Sequence, residues 1–424
     1  MRKTVLLSLT LLVASFALAA PSPSEFAARW SAQLTAARPK VSETYQVPFE
    51  FLIEDTPAGL KAALLNGSNR MEFSSAVQHG SDLTLRLDQY DATLTAHCVD
   101  GARICTAIEG EYVRQKGSSV TRLAISARRA RVDELPTSNE KLPELSPEWK
   151  FSFTDAAGKP DSEGDAPARF SQDKAHVEGT IAPVSGDYGT LSGSVSESGE
   201  LHLSRFDGIH ALRLDGRIVS PDRIEGVFHV APGYPLTFVA TRATAASGNG
   251  FAEAEHLTSV ADPSQPFRFH GTDASGALIT QDDPRFRGKV VVLDLFGTWC
   301  PNCHDEAPVL QSIYASLHER GLEIVGLSYE YVDDRARNLR LLDVYRRKYS
   351  IGFPLLLAGT TDQGQIEATL PQLRNFGAYP TTVFLDRHGK VRLIHAGFSG
   401  PATGRLEELR KAFEQTITRL LDEQ

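Results

Sequence analysis

Positive charge, cysteine, methionine and long apolar runs are all scarce in this chain of 424 residues. Lys and Arg number 44 against 53 Asp and Glu, a formal charge of −9. An acidic surface argues against nucleic acid or anionic lipid as a partner. After the first twenty residues no stretch is long and apolar enough to span a bilayer. Neither a glycine-rich phosphate loop nor a Gly-x-Ser-x-Gly elbow occurs. The four cysteines form two pairs close in sequence, Cys98/Cys105 and Cys300/Cys303. A single Cys-x-x-Cys with twelve scattered histidines is an incomplete zinc set.

What is present begins with a basic start, Met1-Arg2-Lys3-Thr4, and an apolar run from Val5 to Ala19 ending in Ala17-Leu18-Ala19. This reads as a secretory signal peptide over residues 1–19. Cleavage after Ala19 is favoured because Pro21 would follow a cut after Ala20; an uncleaved anchor is the rival reading. No cysteine follows, so a lipoprotein signal is not indicated. Removal of 1–19 takes two positive charges and no acid, leaving −11. The length calls for two or three domains.

A short helical pattern, Phe26-Ala27-Ala28-Arg29-Trp30, marks residues 20–44. From 45 to 242 the apolar period is two: Phe49, Phe51 and Ile53; Leu83, Leu85 and Leu87; Trp149, Phe151 and Phe153; Leu201 and Leu203. Turn residues separate these runs, which predicts an all-β region of roughly a dozen antiparallel strands, a barrel or sandwich. A weak repeat divides it into 45–133 and 148–242. Leu83-x-Leu85, Tyr90-Asp91, Leu94 and Ile108-Glu109-Gly110 recur as Leu201-x-Leu203, Phe206-Asp207, Leu212 and Ile224-Glu225-Gly226. The Pro- and Glu-rich stretch Glu134–Pro147 would connect the halves. Residues 243–264 read as a linker. Over 265–424 strands alternate with helices and the class becomes α/β, closed by an amphipathic helix through Leu406, Leu409, Phe413, Ile417 and Leu420.

The chemistry lies in Trp299-Cys300-Pro301-Asn302-Cys303-His304, directly behind the apolar strand Val290–Phe296 and ahead of a predicted helix. A thiol at a helix N-terminus meets unpaired N–H groups and the positive end of the helix dipole, which favour its thiolate. A free thiol ionises near ~8.5; sites of this kind lower the value to roughly 3.5–7. That is the equipment for thiol–disulfide exchange. A peroxiredoxin-like antioxidant enzyme would place its cysteine three positions after a threonine; here Thr298 is two before Cys300.

With Pro308 in the helix and Tyr379-Pro380-Thr381-Thr382 downstream, the segment from Phe267 resembles the thioredoxin fold and, more narrowly, the exported TlpA/ResA family of disulfide reductases. The resemblance implies that Cys300 is the accessible nucleophile and that Cys303 resolves the mixed disulfide. It implies a cis Pro380 facing them, Trp299 as an apolar cover, and a substrate strand lying along Tyr379 and Thr381. Pro308 is expected to kink the helix. Asp294, interrupting the buried strand, matches the proton-relaying aspartate of thioredoxins, whereas many TlpA/ResA-like proteins carry another residue there. Glu330 stands near the place of an active-site glutamate in ResA-like proteins. No cofactor or metal is implied. The implied partners are disulfide-containing exported proteins and a membrane thiol electron donor, with cytochrome c maturation as one context and the periplasm or another extracytoplasmic space as location.

Cys300 to His304 also matches the Cys-x-x-Cys-His of haem c attachment, but the flanking strand and the Tyr-Pro-Thr-Thr segment belong to thioredoxin architecture. Cys98 and Cys105 read as a structural disulfide across a hairpin, with Gly101-Ala102 as the turn and the two cysteines directly opposed. Two function classes remain. One is an exported thiol–disulfide oxidoreductase. The other is a binding module whose β-region recognises a partner or surface while the thioredoxin-like part handles metal or is passive.

Overall fold

A computed structural model describes residues 24–38, 40–100, 104–130, 142–243 and 258–423. The leader, most of the Glu134–Pro147 connection, most of the 243–264 linker and the Gly101-Ala102 turn lie outside the described residues. Among those described, no helix is long and apolar enough to cross a membrane.

Nine antiparallel strands form the first unit: β1 (Ala28–Ala36), β2 (Tyr45–Thr56), β3 (Gly59–Asn66), β4 (Asn69–Glu72), β5 (Ser75–His79), β6 (Asp82–Leu87), β7 (Ala92–Cys98), β8 (Ala107–Lys116) and β9 (Ser119–Arg129). Their order in the sheet is β4-β3-β2-β1-β9-β8-β7-β6-β5. Residues 28–36 are therefore a strand, not the helix expected over 20–44. Trp30, Ala32, Leu34 and Ala36 are buried in strict alternation, and this period-two burial between β2 and β9 outweighs the helix propensity of the alanines.

The second unit is a closed eight-stranded barrel: β10 (Glu148–Thr154), β11 (Pro160–Asp173), β12 (His176–Ile181), β13 (Leu191–Val195), β14 (Glu200–Phe206), β15 (Ala211–Ser220), β16 (Arg223–Ala231) and β17 (Tyr234–Arg242). The β-region thus has more strands than the dozen expected, because short strands such as β4 and β5 carry little apolar alternation. The two sets of repeated residues occupy corresponding places, β6 to β8 in the sheet and β14 to β16 in the barrel. In both, glycine sits where a neighbouring strand crosses: a Cβ on Gly110 would lie 2.0 Å from Thr95 O, and one on Gly226 2.1 Å from Asp215 O. The units also share a core. Phe206 of the barrel is buried among sheet residues, 5.0 Å from Phe49 and 5.1 Å from Tyr112, and the Asn66 amide bonds both its N–H and C=O.

The third unit contains β18 (Ser259–Val260), β19 (His270–Thr272), β20 (Leu278–Thr280), β21 (Val290–Phe296), β22 (Leu322–Glu330), β23 (Leu355–Thr360), β24 (Leu373–Arg374), β25 (Thr381–Leu385) and β26 (Val391–Ala396). Its helices are α1 (Pro301–Leu317), α2 (Arg335–Tyr349), α3 (Gln363–Thr369) and α4 (Leu406–Asp422). The main sheet runs β20-β19-β23-β22-β21-β25-β26, with β21, β22 and β23 parallel and β25 antiparallel to β21. Apolar residues of α1, α2 and α4 cover one face and those of α3 the other. That burial on both faces explains why every residue of β21 and β22 is buried.

Candidate active site

Strand β21 delivers the chain to Gly297, where a Cβ would fall 2.3 Å from Trp299 Nε1; only glycine lets the indole fold back. Cys300 caps α1, with the Cys303 N–H donating to its Sγ at 3.2 Å. The structure joins Cys300 and Cys303 as a disulfide. Tyr379–Pro380 is cis, and Tyr379 O lies 3.6 Å from Cys300 Sγ. Trp299 donates to Tyr329 O (2.9 Å), stacks on Tyr331 at 4.3 Å and meets Tyr379 edge-on. The expected accessible nucleophile is instead 4 % exposed, and Cys303 1 %, because Phe398, Trp299 and Tyr379 pack into the same cluster. Helix α1 continues through Pro308 to Leu317. Thr381 does not face a substrate path: it is fully buried and its hydroxyl donates to Ala378 O, shaping the turn before the cis bond.

The strand and helix that flank the cysteines carry two buried carboxyls, Asp294 on β21 and Glu306 on α1, 2 % and 1 % exposed. Glu306 Oε1 accepts from the Thr382 hydroxyl at 2.7 Å. No N–H or hydroxyl group donates to Asp294 Oδ1 or Glu306 Oε2 among the described residues. The two groups hydrogen-bond each other, which requires a proton between them. Burial pushes Asp294 up to about 7, and burial plus repulsion from Asp294 pushes Glu306 well above the ordinary carboxylate range. The pair therefore keeps hold of a proton well above the pH at which ordinary carboxyls release theirs.

Glu330 occupies a different place. Its carboxylate accepts from Thr298 N–H (3.0 Å), the Thr298 hydroxyl (2.8 Å) and the Ser328 hydroxyl (2.6 Å). Those bonds tie Glu330 to the segment leading into Trp299-Cys300, away from the Asp294–Glu306 pair. Glu306 is the functional residue that reading the sequence missed. Its signal was periodicity, since Cys303, Glu306, Ala307 and Leu310 lie on one buried face of α1. His304 also works on the loop. Thr298 O can only accept, so Nε2–H donates to it (2.9 Å) and Nδ1 accepts from the Tyr349 hydroxyl (2.8 Å). Burial pushes His304 down to about 3, so it places no cation beside the thiols, and both ring nitrogens are engaged.

Cys98 and Cys105 are joined as a disulfide with Cα atoms 5.7 Å apart, but not across opposed positions. Cys98 pairs with Ile108, and Cys105 precedes β8 in the loop. Asp100 accepts from the Thr106 N–H (2.8 Å) and hydroxyl beside this disulfide.

The AhpC/TSA family model matches residues 263–394. The thiol–disulfide oxidoreductase ResA of Bacillus thuringiensis (strain Al Hakam) is 31 % identical over 120 residues, 28 % of this chain and 61 % of the relative. The thiol:disulfide interchange protein DsbE of Escherichia coli (strain K12) is 30 % identical over 156 residues, 37 % of this chain and 75 % of the relative. This chain belongs to the ResA/DsbE family of thioredoxin-fold thiol–disulfide oxidoreductases. It spans 61 % of the length of the ResA relatives. A solved thioredoxin-family protein from Chlorobium tepidum TLS matches with a TM-score of 0.28 at 20 % identity, over 37 % of this chain and 97 % of its own. In this ResA/DsbE-type domain the matched stretch carries the cysteines, both buried carboxyls and the cis proline; the sheet and barrel precede it.

Proposed function

We propose that this protein is an exported thiol–disulfide oxidoreductase that reduces disulfides of extracytoplasmic proteins. One observation carries the reading: the Cys300–Cys303 pair caps a helix, opposite a cis proline and in front of a buried, proton-sharing carboxyl pair. In the reduced enzyme, the Cys300 thiolate attacks one sulfur of a substrate disulfide. A Cys300–substrate bond forms, and the other substrate sulfur leaves as a thiolate that takes a proton from water. Cys303 then gives its proton to the Asp294–Glu306 pair and attacks Cys300 Sγ. The second substrate thiolate is released and the enzyme is left as the disulfide. Two electrons pass to the substrate, so each turnover requires an external dithiol; a membrane thiol donor is the proposed source.

Thr298, Glu330 and His304 hold the loop, while Trp299 and Tyr379 shape the approach. The apolar leader Val5–Ala19 supports export, and the ResA/DsbE relationship suggests cytochrome c maturation as a context. The test is reduction of a model protein disulfide by the prereduced enzyme, with Cys303→Ser used to trap mixed disulfides from an extracytoplasmic extract. An enzyme that reduces nothing, and a trap that captures nothing, would overturn the proposal.

A further inference from the structure

The connection between β12 and β13 places a barrel turn, Val184–Asp187, against the redox domain. The Asp187 N–H donates to Phe398 O at 3.3 Å, and the Gly400 N–H donates to Asp187 Oδ2 at 2.6 Å. Phe398 and Gly400 follow β26, and the Gly397 N–H at the start of the same segment donates to Pro380 O at 2.8 Å. The turn is thus one backbone segment away from the cis proline. Glycines permit this approach. A Cβ on Gly186 would fall 2.2 Å from Asn302 Nδ2, between the two cysteines, and one on Gly397 would fall 2.6 Å from Val184 O. Both have positive φ, +131° and +80°.

The opposite flank is fastened by the sheet. Asp91 binds Arg337 (3.1 Å) and Arg340 (2.9 Å), and Lys116 Nζ sits 3.7 Å from the Tyr331 ring that stacks on Trp299. Tyr90 meets the His304 ring edge-on at 5.2 Å. That flank combines ion pairs, a cation–π contact and ring packing. The turn is tied to the redox domain by the Asp187 backbone and carboxylate bonds and by close backbone contact.

We propose that the Val184–Asp187 turn is a selectivity wall of the exchange site. It stands against Asn302 and the Phe398–Gly400 segment that bonds Pro380, so that Cys300 accepts a cystine on a small or extended, flexible segment and excludes one on a rigid folded surface. Gly186 and Asp187 are the residues that set this selection. The proposal rests on the exchange reading of Cys300–Cys303 and adds the class of substrate.

The test uses the reduced full-length protein. Cys300 is alkylated with N-ethylmaleimide and with a maleimide on a long polyethylene glycol, each rate divided by that of a free cysteine peptide. Gly186→Ala pushes the turn off Asn302, and Asp187→Ala removes its anchor. Both variants should react about tenfold faster with the bulky reagent and within about twofold with the small one, as expected when the open fraction rises but the thiol is unchanged. A wild type that does not discriminate, or variants that leave the ratio unaltered, would refute the wall. If the variants do not fold, hydrogen exchange on the unaltered protein decides. The Asp187 and Gly400 amides should then open together and well before Leu293; opening as slow as that of Leu293 refutes the wall. A Cys300 that reacts normally but reduces no disulfide counts against the exchange reading and leaves the wall standing.

Discussion

The two disulfides of this protein have similar spans, 5.7 Å and 5.3 Å between Cα atoms, and opposite surroundings. Cys300 Sγ accepts an N–H at a helix start, and the strand and helix that flank the motif carry the buried Asp294 and Glu306, whose carboxyls are pushed above the usual range. Cys98 Sγ instead lies 2.9 Å from Asp100 Oδ1, and among the described residues no helix begins beside it. An N–H and a helix dipole stabilise a thiolate, while a neighbouring carboxylate opposes one. The proposed division into a catalytic bond in one region and a staple in the other therefore rests on the neighbours of each sulfur.

The largest effect should come from removing sulfur on each side of this contrast. Cys300→Ser is expected to bring disulfide reduction to background. The double variant Cys98→Ser/Cys105→Ser should keep its turnover and lose about 2.5 kcal/mol of stability, the chain-entropy value for so short a loop. Turnover and denaturant unfolding, measured side by side, check the pair; equal loss of turnover in both would erase the distinction.

Next in size is the order of reduction. Graded dithiothreitol with differential labelling should open Cys300–Cys303 well before Cys98–Cys105, and Cys300 should be the thiol labelled first at low pH. Simultaneous opening would make the second bond redox-active.

A smaller effect, on the order of tenfold, is expected from Asp294→Asn on release of the mixed disulfide, with initial attack little changed. Glu306→Gln should match it, and the double variant should be no slower than either, because the two interacting carboxyls act as one unit. Stopped-flow reduction of a model disulfide separates the steps. Glu330→Gln should instead impair both steps together by loosening Thr298. A release defect confined to Glu330→Gln would return the relay to that residue.

The subtlest effect is on stability against pH. Asp294 binds its proton up to about pH 7 when folded and up to about 3.8 when unfolded. Between those values the unfolded chain has released a proton that the folded one retains, so stability falls as pH rises through this window and the penalty is complete above it. Asp294→Asn should therefore match the wild type near pH 4 and gain in melting temperature toward pH 7. A difference that stays constant with pH would show that Asp294 does not titrate there.

The parts legible from sequence were those set by local chemistry. The buried strand, the helix-capping cysteine and the Tyr-Pro-Thr-Thr turn each carry their signal within a few residues. The parts misread depend on what comes to lie alongside. Residues 28–36 look helical until β2 and β9 bury every second side chain. Cys98 and Cys105 look opposed until the Asp100-centred loop shifts the pairing to Ile108. Glu330 and Glu306 are hard to tell apart for the same reason: both glutamates end up buried near the motif, and the hydrogen bonds to Thr298 and Thr382 set them in different places.

Phe206 carries a consequence for the order in which the chain can mature. The sheet ends at Arg129, yet its core is completed by a side chain 77 positions later. At synthesis rates of about 5–20 residues per second, the sheet waits roughly 4–15 s with that side of its core open. During that interval Phe49 and Tyr112 lack their ring partner and the Asn66 amide lacks the backbone groups it will bind. The nascent chain is then most in need of shelter from aggregation before β14 emerges, long before either redox cysteine has been made.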